Sequence, residues 1–440
     1  MLVELHGRNL DEVRNPAFRR YAAIYARIAD DFLAQVRRLG LEIDPVDYTA
    51  DVRAAMERLR SRAVLRNDRK SVYLNRFSPA CEACRTGEGS ASFFISLQCH
   101  RDCFYCFNPN QREYGQFAER KQDVAGELRN ARARGAELTH IALTGGEPLL
   151  FKQETIEFFR VATETYPGAY KRLYTCGDQF DTSTAKSLRG AGLDEVRFSI
   201  RMFDTERARR RTLETIALAR QHVANVMVEM PVLPGTIDAM QHLLRDLDRL
   251  GIASVNLLEL CFPAVNAQAF RERGHLIKNR PLRVLYNYQY AGGLPVSRSE
   301  LESLSLVEFA LAEGLEIGVH YCSLENKHSS QMYRQNGRGG VPATGTLSGK
   351  DFFIKSAKVF GRDVDPVRAE LERKGCFESR ADVGHQFLEF NVDRIPLLRD
   401  LDVEVGISWN VLEERGGRRG LRELRIDLTS PQRFDLTTDI

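Results

Sequence analysis

The sequence predicts an α/β fold: an open, partial barrel of six strand–helix units, with a helical extension before it and an α+β extension after it. Between residues 92 and 260, short apolar runs alternate with amphipathic segments, which is typical of parallel strands joined by right-handed helical crossovers. Six units, rather than eight, indicate a sheet that does not close. In such sheets ligands sit at the carboxyl ends of the strands.

The first 75 residues are predicted to be helical. Asn15 followed by Pro16 is typical of a helix cap and a first-turn proline, and an apolar stripe then continues at helical spacing to Gly40. A second helix is predicted over 49–63. Two helices bury too little surface to fold alone, so we expect them to pack onto the rest of the chain.

The central part of the chain supplies the six units. The predicted strands are 92–97, 139–143, 170–175, 195–200, 224–230 and 254–260. The predicted helices between them are 123–134, 154–165, 182–189, 206–222 and 237–250. Because the connections are helical crossovers, the carboxyl ends of these strands are expected at one edge of the sheet.

The remaining sequence predicts four segments for the whole chain. A helix over 300–313 and a strand over 315–320 follow the core, and a glycine-rich break at 337–349 precedes strands at 386–392, 403–412 and 424–428. The segments are a helical extension (1–75), the core (76–265), a segment on the substrate side of the core (266–336) and a C-terminal α+β segment (350–440).

Composition and charge exclude several classes of protein. The 63 basic and 60 acidic residues leave a net charge of +3, so general attraction to nucleic acid is not expected. The N-terminus has acidic residues where a signal peptide needs an apolar core, and no stretch reaches the roughly 18 apolar residues of a membrane helix. We therefore expect a cytoplasmic protein without a membrane or nucleic-acid partner.

The nine cysteines are the most informative residues, because an odd number without an export signal argues against a disulfide framework. Cys99, Cys103 and Cys106 follow the first predicted strand, and such a short loop lets three thiolates face one iron–sulfur cluster. Three protein ligands would leave one iron of a four-iron cluster open. The spacing also allows three of the four ligands of a zinc ion.

A glycine-rich turn, Thr144-Gly145-Gly146-Glu147-Pro148, follows the second predicted strand at the same sheet edge. Two glycines let the backbone approach a ligand closely, and Glu147 offers a carboxylate to a cationic group. Together with the CxxxCxxC motif, this turn resembles the radical SAM superfamily over roughly residues 81–261. The chain further resembles a poorly characterised group related to pyruvate formate-lyase activating enzyme. It departs from those small enzymes in its length, its N-terminal helices and its extra cysteines.

The resemblance implies a [4Fe–4S] cluster on Cys99, Cys103 and Cys106, with S-adenosylmethionine (SAM) chelating the open iron. The glycine-rich turn would bind the SAM amino group, an aromatic ring would lie beside adenine, and later strand ends would reach the ribose and carboxylate. The residues assigned to SAM are Tyr105, Thr144, Gly145, Gly146, Glu147, Pro148, Ser199, Arg201 and Val232. The last three equally fit ordinary strand-end or turn residues.

A second pair of cysteines, Cys81 and Cys84, precedes the cluster motif. A CxxC pair suits an auxiliary iron–sulfur cluster, half of a zinc site or a redox dithiol. Two thiolates cannot satisfy a cluster, and Cys322 is the favoured distant partner because it follows a predicted strand in the sequence Tyr-Cys-Ser, with Lys327 nearby. Cys376 fits a fourth ligand or a free thiol.

Other candidate residues have plainer interpretations. Cys176 and Cys261 are isolated, and isolated cysteines are more often small core residues. Tyr286, Tyr288 and Tyr290 alternate at strand period, which fits a cavity wall or core packing.

We therefore predict an enzyme that reductively cleaves SAM to a 5′-deoxyadenosyl radical, which abstracts hydrogen from a peptide, protein or small metabolite. An electron donor such as flavodoxin or ferredoxin is expected, together with an auxiliary cluster. The alternatives are an iron–sulfur scaffold or sensor that binds SAM without turnover, and a zinc-binding interaction module.

Overall fold

The computed structural model describes residues 2–263, 265–289 and 293–440. The strands are β1 (Val3–Glu4), β2 (Val64–Arg66), β3 (Ser71–Leu74), β4 (Ser90–Phe94), β5 (His140–Thr144), β6 (Tyr170–Thr175), β7 (Glu195–Phe198), β8 (Asn225–Val232), β9 (Ser254–Glu259), β10 (Cys261–Phe262), β11 (Leu294–Pro295), β12 (Gly318–Cys322), β13 (Thr346–Leu347), β14 (Ile354–Phe360), β15 (Ser379–Asp382), β16 (Phe387–Phe390), β17 (Val405–Arg415) and β18 (Arg418–Thr429).

Helices alternate with the central strands. The helices are α1 (Pro16–Arg38), α2 (Thr49–Leu59), α3 (Pro79–Ala83), α4 (Tyr114–Glu119), α5 (Val124–Ala133), α6 (Lys152–Thr165), α7 (Thr182–Gly190), α8 (Glu206–Arg220), α9 (Ile237–Arg249), α10 (Ala267–Glu272), α11 (Ser299–Glu313), α12 (Leu324–Lys327), α13 (Ser329–Asn336), α14 (Val364–Arg373) and α15 (Leu436–Asp439). In the part of the chain that the structure describes, no helix has the length and apolar character needed to span a bilayer.

The chain divides into two compact units. The barrel unit comprises Ile43–Pro281 and Gln289–His328, and the second unit comprises Met1–Glu42, Leu282–Tyr288 and Ser329–Ile440. This grouping differs from the four segments predicted along the sequence, because residues 43–75 fold with the core whereas α1 folds with the C-terminal strands.

The barrel unit is built on a sheet with the strand order β2-β3-β12-β9-β8-β7-β6-β5-β4. Strands β4 to β9 are parallel and adjacent in chain order, as predicted, and β12 extends them in parallel beside β9. Strands β3 and β2 complete this edge with antiparallel pairing. Among the described residues β2 and β4 do not pair, so the predicted open α/β fold is confirmed.

The strands of the barrel unit alternate between two buried faces. On β7, Val196 and Phe198 are fully buried apolar residues, whereas Glu195 and Arg197 between them are buried and charged. Successive side chains of a strand point to opposite faces, so one face of β7 packs apolar residues and the other carries charge. This polar face leads directly to Ser199 and Arg201 beyond the end of the strand.

The start of helix α1 is determined by neighbouring residues, whereas the end of strand β4 is determined by a hydrogen bond to a residue distant in sequence. Helix α1 begins at Pro16, and Asn15 caps it by accepting hydrogen bonds from the backbone of Ala17 and Phe18 at 3.0 and 3.2 Å, as predicted. Strand β4 ends at Phe94, three residues before the predicted end. The chain leaves the sheet there because Leu97 N donates to Phe117 O at 2.9 Å instead of to a neighbouring strand.

The second unit is an antiparallel sheet with the order β1-β18-β17-β14-β16-β15, and β13 pairs with β14. Helix α1 packs on it through a stacked pair of rings, Phe18 and Phe360, whose centroids are 4.7 Å apart. A second apolar cluster of this unit contains Tyr286 and Tyr288, which supports core packing for these rings. Tyr290 lies outside the described residues.

Candidate functional site

A cavity of about 400 Å³ lies at the carboxyl ends of the barrel-unit strands. Cys99, Cys103 and Cys106 all line it. Cys99 is exposed and the other two are half-buried. Burial raises the pKa of the Cys103 thiol, and Arg201, whose Nη1 lies 3.9 Å from Sγ, opposes that shift. The predicted cluster ligands therefore share one wall with a cation beside them.

The spacing of these sulfurs bears on the kind of metal they could hold. A tetrahedral zinc ion with bonds of about 2.3 Å would draw its sulfurs to about 3.8 Å from one another. Within the described residues, one group of at least three His, Cys, Asp or Glu ligand atoms lies within 4.8 Å, and it is His100, Cys176 and Asp178. The three motif thiols do not form such a group, so at least one pair of their sulfurs is more than 4.8 Å apart.

The group around Asp178 is an ion-pair network. Arg101 holds both carboxylate oxygens of Asp178, and His100 Nε2 lies 2.6 Å from one of them. Because the guanidinium already neutralises this carboxylate, the group is poorly suited to a metal ion. It fixes His100 and Arg101, which directly follow Cys99, to the residue beyond β6.

Two glycines of the turn are required by the packing of the backbone itself. A Cβ on Gly146 would lie 1.9 Å from Gln98 O, and one on Gly145, whose φ is +106°, would lie 2.5 Å from Phe94 Cβ. Gly146 N donates to Ser96 O at 3.0 Å and Glu147 N donates to Gln98 O at 2.8 Å. The glycines thus bring the turn against the segment that leads to Cys99, in addition to lining the cavity.

The carboxylate of Glu147, which the sequence suggested as a partner for a cationic group, is hydrogen-bonded within the protein. Its buried carboxylate accepts hydrogen bonds from Leu149 N at 3.0 Å, from Thr175 Oγ1 at 2.7 Å and from Cys176 N at 2.7 Å. Three donors already occupy this carboxylate, so it anchors the turn to the end of β6 instead of offering itself to a cation. Thr144 lines the cavity, whereas Pro148 starts a buried 3₁₀ turn and does not.

Ser199 and Arg201 line the cavity beyond the end of β7, where the sequence placed them. Asp204 holds Arg201 through two contacts, from Nε at 3.0 Å and from Nη2 at 2.6 Å. Such a bidentate interaction fixes the plane of the guanidinium. Asp204 also lies 3.5 Å from Arg101, so it joins the cation beside Cys103 to the one after Cys99.

Of the two residues predicted to lie beside adenine, Tyr105 lines the cavity and Val232 does not. Tyr105 lines the cavity, and its hydroxyl is buried without a hydrogen-bond partner among the described residues. Val232 is fully buried within β8 and is not part of the lining; Met230 and Pro231 form that wall. The buried side chain of Val232 therefore does not reach the cavity, and its assignment to SAM stays a prediction.

The far wall of the cavity contains residues that the sequence did not single out. Arg197 Nη1 lies 2.6 Å from Glu229 Oε2, which also accepts from Asn256 Nδ2 at 2.7 Å. Burial opposes ionisation, but the charges of Arg197 and Lys327 hold the pKa of Glu229 below its usual range. The alternation of charged and apolar residues within a predicted strand, as at Arg197, was the available signal.

Two cysteines expected in the core belong to this cavity. Cys176 lines it near Asp178, at 3.5 Å from a carboxylate oxygen, and Cys261 lines its far wall. Burial raises the pKa of Cys261 to about 12, so this thiol is protonated near neutral pH. Cys376 is in the second unit, where it packs against an apolar core.

Cys81, Cys84 and Cys322 form a separate group in the barrel unit, and none of them lines the cavity. Burial raises the pKa of Cys322 to about 12, and the neighbouring Cys84 and Cys81 add to that shift, which places the three thiols within electrostatic reach of one another. Asn326 Nδ2 lies 3.2 Å from Cys322 Sγ. Cys84 is exposed and Cys322 is buried, so the group extends inwards from the surface.

The chain is similar to proteins of the radical SAM superfamily. Residues 94–247 match the model of the radical SAM superfamily. A candidate glycyl-radical enzyme activating enzyme of Methanocaldococcus jannaschii is 26% identical over 206 residues, which are 45% of this chain and 54% of that protein. The chain thus spans about half the length of the curated relative it matches.

Solved structures were also compared. Coproporphyrinogen III oxidase of Escherichia coli aligns with a TM-score of 0.37 and 15% identity, over 55% of this chain and 58% of that one. SuiB of Streptococcus suis bound to S-adenosylmethionine aligns with a TM-score of 0.38 and 11% identity, over 63% of this chain and 61% of that one.

Proposed function

We propose that this enzyme reductively cleaves SAM at a [4Fe–4S] cluster held by Cys99, Cys103 and Cys106, and the match of residues 94–247 to the radical SAM model supports this proposal. The observation that carries the proposal is that these thiols share one cavity with the glycine-rich turn. When bound, the reduced cluster supplies one electron that breaks a C–S bond of SAM and yields a 5′-deoxyadenosyl radical. The protein positions these groups and excludes water.

The residues around the three thiols fit this pair of cofactors. Three thiolates leave one iron free for the amino and carboxylate groups of SAM. Arg201, fixed by Asp204, is a cation for the carboxylate, and the hydroxyl of Ser199 is available to the ribose. Tyr105 lines the same cavity, where its ring can lie beside adenine. Met230 and Pro231 supply an apolar wall of this pocket.

The turn contributes through its backbone. The Glu147 carboxylate holds the turn to β6, while the close packing of Gly145 and Gly146 keeps it beside the thiolate loop. We assign the amino group of SAM to this stretch from Thr144 to Glu147. Pro148 then acts only by starting the turn that follows.

The substrate occupies the cavity beyond SAM in this proposal. That end is walled by Arg197, Glu229, Cys261 and Lys327, which are polar or charged, and it suits a polar substrate. The radical would abstract a hydrogen atom from a peptide, a protein or a small metabolite. An electron donor such as flavodoxin or ferredoxin would reduce the cluster.

We also propose an auxiliary iron–sulfur cluster on Cys81, Cys84 and Cys322. The electrostatic influence of Cys84 and Cys81 on Cys322 supports a shared site. Two N–H donors, Arg197 and Asn326, approach these sulfurs at 3.6 and 3.2 Å. Hydrogen bonds of this kind are typical around the sulfurs of iron–sulfur clusters.

Electron paramagnetic resonance of the reduced, reconstituted protein tests the proposal. Coordination of SAM to the open iron is expected to change the spectrum of the first cluster, and the Cys99, Cys103 and Cys106 triple alanine variant should lack that change. The same variant should retain about four irons on the auxiliary site. A SAM-responsive protein that never forms 5′-deoxyadenosine would instead be a scaffold or sensor. A colourless protein with stoichiometric zinc would contradict both cluster assignments.

A further inference from the structure

One guanidinium connects the cavity to the auxiliary cysteines. Arg197, whose side chain is 3% exposed, lies 2.6 Å from Glu195 through Nε and 2.6 Å from Glu229 through Nη1. Its third nitrogen, Nη2, lies 3.6 Å from Cys81 Sγ. Every nitrogen of this guanidinium therefore has a different anionic or sulfur partner.

The position of Arg197 follows from its strand. It lies on the polar face of β7, and Ser199 and Arg201, which line the same cavity, follow the end of that strand. The ring of Tyr174, on the neighbouring strand β6, lies 5.3 Å from the guanidinium and limits its movement. Glu229 faces the cavity, whereas Cys81 does not, so Arg197 stands between the substrate end of the cavity and the auxiliary group.

The charges around Arg197 can influence the reduction of a cluster bound to Cys81. The buried carboxylate of Glu195 and the half-buried carboxylate of Glu229 compete with the Cys81 sulfur for the positive charge of Arg197, and the charge of Lys327 also acts on Glu229. Reduction of a thiolate-bound cluster adds a negative charge. An N–H donated to a ligand sulfur, and a nearby cation, both stabilise the reduced state. A nearby carboxylate does the opposite.

We infer that Arg197 sets the reduction potential of the auxiliary cluster and couples it to the charge at Glu229 in the cavity. This inference rests on the proposed auxiliary cluster. Arg197 favours the reduced state by donating to Cys81. Glu229 weakens that effect by sharing the guanidinium, so a substrate group that neutralises Glu229 would raise the potential of the auxiliary cluster.

The test is a potentiometric titration of the full chain carrying the Cys99, Cys103 and Cys106 alanine substitutions, in which only the auxiliary cluster remains. Arg197→Lys keeps a positive charge near Glu195 and Glu229 but loses the fork that reaches Cys81. It should shift the reduction equilibrium about tenfold towards the oxidised cluster, which is about 59 mV for a one-electron couple. Glu229→Gln should shift it in the opposite direction.

Arg172→Lys is the matched control. Arg172 is also buried beside the Tyr174 ring, at 5.9 Å, but no hydrogen bond joins it to a cysteine among the described residues. Its substitution should leave the potential unchanged. Equal potentials for Arg197→Lys, Glu229→Gln and the control, with about four irons present, would overturn the inference alone. A triple variant without iron, or with zinc, would overturn the auxiliary cluster and the inference together.

Discussion

Replacing Gly146 by alanine adds one methyl group at the tightest backbone contact of the site. The new Cβ would lie 1.9 Å from Gln98 O, 2.5 Å from its carbonyl carbon and 2.6 Å from the carbonyl carbon of Leu97. These atoms are backbone and cannot turn aside, so the loop before Cys99 must move by about an ångström. That movement strains the hydrogen bonds from Gly146 N to Ser96 O and from Glu147 N to Gln98 O.

The size of the effect follows from these contacts. Two hydrogen bonds contribute about 1 kcal/mol each, and overpacking costs about 1–3 kcal/mol, so the barrel unit should lose about 3–5 kcal/mol of stability. The same displacement should lower the iron bound to the first cluster, because Cys99 directly follows Gln98. Iron content and urea denaturation measure the two effects.

Gly190→Ala is the matched control for this substitution. Gly190 lies at the end of helix α7, and a Cβ there would meet no atom within 4 Å. Alanine is the better helix former, so this variant should be neutral or slightly more stable. Wild-type iron content and stability in Gly146→Ala would refute the packing of the turn against the thiolate loop.

Two further predictions concern charge. Asp204→Asn should weaken SAM binding about tenfold, which is about 1.4 kcal/mol, and should leave the iron content unchanged, because Arg201 loses the carboxylate that binds it at two points. Equilibrium dialysis measures the affinity for SAM, and Asp238→Asn, at an exposed position, is the control. An unchanged affinity for SAM in Asp204→Asn would contradict the role of Asp204. Burial lowers the pKa of His328 from 6.5 to about 4, so its contribution to stability is present above pH 6.5 and is lost as the pH falls towards 4, by up to about 1.4 kcal/mol per pH unit. His328→Gln should reduce the fall of the urea denaturation midpoint between pH 6.5 and pH 4. His242→Gln, at an exposed position, should leave that pH dependence unchanged. The same pH dependence in His328→Gln as in the wild type would show that this histidine does not titrate as described.

The parts predicted correctly from the sequence depend on local patterns. Strand β6 has the predicted bounds, and α6 ends where expected at Thr165, because hydrophobic periodicity reports the burial of each element by itself. The cap at Asn15 is likewise a property of three consecutive residues. The two motifs lie at neighbouring strand ends because parallel strands in chain order must place them there.

The parts that sequence reasoning missed depend on partners distant in the chain. The use of the Glu147 carboxylate is fixed by Thr175 and Cys176, nearly thirty residues later, and no local pattern contains that information. The packing of α1 against β14 in the second unit depends on Phe360. Arg197 could have been noticed as a charge within a buried strand, but its contact is with Cys81 in the short helix α3, 116 residues earlier in the chain.

Formation of 5′-deoxyadenosine from SAM by the reduced, anaerobically reconstituted protein is the measurement that tests the central claim most directly. The wild-type protein should release 5′-deoxyadenosine and methionine, and the triple alanine variant of Cys99, Cys103 and Cys106 should release neither. Replacement of Cys376, which lies in the second unit, should leave the reaction intact. A triple variant that forms 5′-deoxyadenosine at the wild-type rate would contradict the assignment of the first cluster.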